Sequence, residues 1–144
     1  MKTLIVIATV LSAIFFVSAG CSSRPGNDAT ASTRKTIKSI PLGNLMATLS
    51  NSTGQLKKGD QEVTFAFTDS FGKPVDVGAV SLNFHMPAMG GMAAMNDPVT
   101  FTTTNTPGVY RGKVNIEVAG EWQGQLAYEG PAGKGKTTFT VSAQ

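Results

Sequence analysis

Four of the chain's six methionines stand in one decapeptide, Met86-Pro-Ala-Met-Gly-Gly-Met-Ala-Ala-Met95, spaced by three, and the only histidine, His85, comes immediately before them. Thioether sulfur and imidazole are soft-to-borderline ligands that suit Cu(I), and by extension Ag(I), far better than Mg²⁺ or Ca²⁺. Cu(I) is satisfied by about two to four such ligands, and a thioether is neutral, so it needs no deprotonation. Met89, Met92 and His85 are the leading candidate ligands. Met95 comes next, and Met86 last because it also continues an apolar alternation. Pro87, Gly90 and Gly91 interrupt regular structure, so the chain beyond Met86 is expected to be a loop able to fold round an ion. A spacing of three suits successive bends or one helical turn. On a strand His85 and Met86 face opposite sides, so both serve one site only if the strand ends there, as Pro87 implies. The same methionines have a second use, because Met-rich loops also make adaptable apolar docking surfaces. A third is reversible oxidation of the sulfurs.

Other chemistry has little to stand on. Trp122, Tyr110 and Tyr128 fall at core positions of alternating segments. Asp69, Asp76 and Asp97 lie near turns, where Asp stabilises the bend locally, and they are too scattered for a hard-metal cage. The run Gly130-Pro-Ala-Gly-Lys-Gly135 lacks the strand-loop-helix context of a phosphate-binding loop. With one histidine and few serines outside turns, an enzyme is not expected.

The N-terminus sets the compartment. Lys2, an apolar run from Leu4 to Val17 and small residues Ser18-Ala19-Gly20 describe a secretory signal peptide over residues 1–20. The apolar run is shorter than the roughly 18 or more residues of a membrane span. The small residues ending in Cys21 resemble a bacterial lipobox, with Ser18 where that motif prefers Leu or Val. That resemblance implies lipidation of Cys21, and Ser22 in place of Asp favours the outer membrane, facing the periplasm. Cys21 is the sole cysteine, which excludes an internal disulfide and a Cys-based zinc site. Without residues 1–20 the chain keeps eleven basic and nine acidic residues, too even a balance for nucleic-acid binding. Residues 21–41, poor in apolar side chains, read as a flexible tether.

Residues 42–144 then form one domain. Short period-two segments separated by Gly, Pro, Asn and Asp carry the strand-and-turn signature. They are Leu45–Leu49, Glu62–Thr68, Ala79–Met86, Val99–Thr103, Tyr110–Val118, a segment with Trp122, Leu126 and Tyr128, and one with Phe139 and Val141. About seven short strands in some hundred residues predict an all-β, immunoglobulin-like antiparallel β-sandwich, with a small open barrel as the alternative.

The segments Phe84-His-Met-Pro-Ala-Met-Gly-Gly-Met, Pro107-Gly-Val-Tyr-Arg-Gly112 and Gly120-Glu-Trp-Gln-Gly124 together resemble the YtkA-like domain and its FixH relatives, over roughly Val63 to Val141. The resemblance implies an immunoglobulin-like sandwich and heavy-metal handling, chiefly of copper. The partners it implies are a metal efflux system or an oxidase-assembly protein.

Overall fold

The structure, a computed structural model, describes residues 34–144. The expected signal peptide, Cys21 and the first part of the expected tether lie outside the described residues. Nine strands follow in order: β1 (Lys35–Leu42), β2 (Leu45–Asn51), β3 (Gly59–Thr68), β4 (Ala79–Met86), β5 (Met95–Pro98), β6 (Thr100–Thr103), β7 (Val109–Ile116), β8 (Gly120–Gly130) and β9 (Gly133–Ala143). They form two sheets, ordered β1-β2-β3-β7-β6 and β5-β4-β8-β9, with antiparallel pairing throughout. The antiparallel sandwich is the expected class, with nine strands in place of seven.

Alternation builds the core. Along β7, Tyr110, Gly112, Val114 and Ile116 are buried while the residues between them are exposed or partly so. Val63, Phe65 and Phe67 of β3, Leu82, Phe84 and Met86 of β4, and Trp122 and Leu126 of β8 join them in one cluster. Across the sandwich the Phe67 and Tyr128 rings lie 6.0 Å apart, which ties the two sheets together. Gly124 leaves room for its neighbour: it pairs with Phe139, and a Cβ there would come within 2.3 Å of that ring. Trp122 is fully buried, as expected, and its Nε1–H donates to the Val118 carbonyl at 3.1 Å.

Two strands escaped the sequence reading. The tether expected through residue 41 ends earlier, because β1 pairs along β2 from Lys35↔Asn51 to Leu42↔Leu45. An edge strand needs few apolar residues and commonly carries lysines that discourage further pairing. Lys35-Thr-Ile-Lys-Ser-Ile-Pro-Leu42 has that composition, with Ile40 buried and Ile37 and Leu42 packed against the core. The second addition is β5, which begins at the last methionine of the decapeptide.

The turn aspartates divide. Asp69 accepts from the backbone N–H of Phe71 (2.8 Å) and Lys73 (3.0 Å), a local bend as expected. Asp76 accepts from Gly78 N–H at 2.9 Å and from the Tyr110 hydroxyl at 3.2 Å. Asp97 is no turn residue. It is buried on β5 and accepts from Glu117 N–H at 3.0 Å, fastening the β7–β8 connection to the edge of the other sheet.

Candidate functional site

The decapeptide is a β-hairpin rather than an irregular loop or a helical turn. The β4–β5 ladder runs Asn83↔Pro98, Phe84↔Asp97, His85↔Asn96, Met86↔Met95, and the same register continues to an isolated bridge at Met89↔Met92. There the two residues exchange both backbone hydrogen bonds, Met89 N–H to Met92 O at 3.2 Å and Met92 N–H to Met89 O at 3.0 Å. Gly90 and Gly91 are the two-residue connection. Gly90 has φ +57°, the sign that a primed hairpin turn requires at its first central position. The glycines therefore do not end regular structure but close it.

This register gives the spacing of three its meaning. Direct partners in an antiparallel ladder carry side chains on the same side, Cβ atoms about 5 Å apart. The four methionines thus make two cross-strand pairs, Met86 with Met95 at the root and Met89 with Met92 at the tip. The root pair belongs to the core: Met86 is 4% exposed and Met95 packs against the same cluster. Met86 therefore stands apart from the leading candidates, on the face opposite His85, because β4 runs through both residues and ends only after Met86, at Pro87. The tip pair is open to solvent, Met89 62% and Met92 52% exposed.

His85 lies on the outer face of the four-stranded sheet, half-buried, opposite Asn96 on β5 and Gln123 on β8. Its Nδ1 is 2.9 Å from Asn96 Oδ1. The same oxygen accepts from Asn83 Nδ2 at 3.1 Å, and that amide also donates to Gln125 Oε1 at 3.4 Å. His85, Pro87, Glu121 and Gln123 border a groove of about 310 Å³. About 13 Å of extended backbone separates the Cα atoms of His85 and Met89, so ring and tip sulfurs reach one ion only by leaning toward each other.

The structure therefore brings Met89 and Met92 together, leaves His85 near them on the exposed side, and puts Met86 and Met95 into packing. Sequence reasoning missed Asn96, Asn83 and Gln125. A hairpin centred between Gly90 and Gly91 would have set Asn96 opposite His85 by counting alone. Among the described residues no three His, Cys, Asp or Glu side chains group to hold a metal.

The hairpin end is also where the chain enters the domain. β1 starts at Lys35 opposite Asn51, at the same end as the β7–β8 connection and the last residues of β4. At the other end the Tyr110 hydroxyl donates to the Gly78 carbonyl at 2.9 Å and to Asp76, pinning the β3–β4 loop. Burial, followed by the Asp76 carboxylate, raises the pKa of that phenol above its ordinary value.

Comparison with known proteins found one family. The family model described as YtkA-like matches residues 42–127, which span β2 to most of β8 and include the whole hairpin. No curated protein and no solved structure showed a significant match. With more than half of its length matched, the chain belongs to the YtkA-like family.

Proposed function

We propose that this protein is a lipid-anchored envelope carrier that holds Cu(I) or Ag(I) between the thioethers of Met89 and Met92, with His85 as nitrogen donor. The observation that carries the reading is the tip pair: two exposed sulfurs brought side by side by hairpin register, with no packing role that requires sulfur. Soft monovalent ions fit such donors. Two neutral thioethers leave the ion open to a further ligand, so an incoming donor from a partner can attach before either sulfur departs. That exchange suits buffering, delivery or efflux, and assigns no catalysis to the chain. Anchoring rests on Cys21 and the signal segment. Entry of the chain at the hairpin end would hold the tip toward the anchoring membrane, where a metal efflux or oxidase-assembly partner would meet it.

The exposed tip also favours a second reading, an apolar docking surface for an envelope partner. A Cu(I) titration of the full chain in detergent, under reducing conditions against a chromophoric chelator, separates the two. One-to-one binding that Met89→Leu/Met92→Leu abolishes and Met86→Leu keeps is the expected result. No competition by the wild type would overturn the carrier and leave the docking surface.

A further inference from the structure

We propose that Asn96, held in turn by Asn83, is a positioning residue that fixes the proton of His85 on Nδ1 and so offers Nε2 as the ring's donor nitrogen. The geometry is a row of side chains across the outer face of one sheet. Asn96 is the cross-strand partner of His85, and Gln125 is that of Asn83. Asn83 Nδ2 donates to two oxygens, Asn96 Oδ1 and Gln125 Oε1. Asn96 therefore turns an amide oxygen toward His85 Nδ1 at 2.9 Å. An amide oxygen has no proton to give, so the ring nitrogen facing it must carry one. In the neutral ring Nε2 then keeps the lone pair, the arrangement in which a hydrogen bond at one nitrogen selects the other as ligand. A free imidazole side chain in water prefers the opposite form, so the row of amides imposes a tautomer that the ring alone does not choose.

The protonation state needs no metal. Its use in holding an ion beside Met89 and Met92 rests on the carrier reading above. The two claims are tested separately. In the metal-free, ¹⁵N-labelled full chain, at a pH where the ring is neutral, long-range ¹H–¹⁵N correlation should place Nδ1 in the protonated range and Nε2 in the unprotonated range. Asn96→Leu should move the ring to Nε2–H, whereas Asn96→Asp, which keeps an oxygen acceptor, should retain Nδ1–H. Asn83→Leu should give a mixture, since nothing then orients the Asn96 amide. A wild-type ring found as Nε2–H overturns the proposal, because the three amides would then run in the reverse sense with Nδ1 accepting. That outcome requires no variant to fold.

The Cu(I) titration supplies the second arm. Asn96→Leu should weaken binding about tenfold, in the range usual for groups that orient a metal ligand, and Asn96→Asp should restore it. A switched tautomer with unchanged affinity overturns the use of His85 as a donor and leaves the ion to the methionines. No Cu(I) binding by the wild type overturns the carrier reading and not the tautomer.

Discussion

The root and the tip of the Met86–Met95 hairpin use the same residue type for opposite ends. At the root, Met86 is enclosed and its methyl group lies under Gly120, where a Cβ would come within 3.1 Å of it. At the tip, Met89 and Met92 touch solvent and are joined by backbone hydrogen bonds. A flexible thioether serves as gap-filler in the first place and as a presented sulfur in the second. Composition therefore says less about methionine than position does: three residues along the chain separate a packing group from a candidate ligand.

Substitutions can break that contrast or sharpen it. Met86→Ala removes a buried side chain and should cost about 2–5 kcal/mol in urea unfolding, while the protein that remains folded keeps its Cu(I) affinity. Equal loss of affinity would mean that root and tip are one site. Gly90→Ala places a Cβ on a left-handed residue with nothing within 4 Å of it, so its cost is conformational, about 1–2 kcal/mol. Amide exchange at Met89 and Met92 should quicken, with the core ladders unchanged.

Tyr110→Phe tests the far end of the sandwich and should cost about 1 kcal/mol, with no change in metal affinity. Its pH dependence has a defined sign. Burial and Asp76 raise the phenol's pKa above the ordinary 10.0, so the neutral form stabilises the fold below about pH 10. That contribution is lost as pH rises through the folded-state value, and urea midpoints of the Phe variant should lack this alkaline loss. The smallest effect on stability belongs to Met89→Leu/Met92→Leu, within about 0.5 kcal/mol, although it should remove the metal site altogether.

Much of the sandwich was legible because buried strands alternate: Val63-Phe65-Phe67 and Tyr110-Gly112-Val114-Ile116 announce their inner faces without help. Lys35–Leu42 was not, since an edge strand closes on backbone hydrogen bonds and a few apolar contacts, here Ile37, Ile40 and Leu42, and its composition matches a tether's. The candidate site was legible in its residues but not in its form. Gly90-Gly91 reads equally as an interruption or as a two-residue turn, and only pairing decides which. Once paired, the spacing of three sorts the methionines into a root and a tip. Asn96 carried no signal of its own, because its role depends on standing opposite His85. Asp97 looked like a turn residue beside Pro98, and its true partner, the Glu117 amide, lies twenty residues away.

The most direct test of the central claim, that the tip pair and not the root holds the ion, is methionine-methyl NMR of the full chain during Ag(I) titration. Labelled ε-methyl groups report each sulfur separately, and Ag(I) is diamagnetic. The expected result is that Met89 and Met92 methyl signals shift together and saturate at one equivalent, with the root pair Met86 and Met95 unmoved. Signals that stay in place, or a shift of Met86 as large as that of the tip pair, would contradict it.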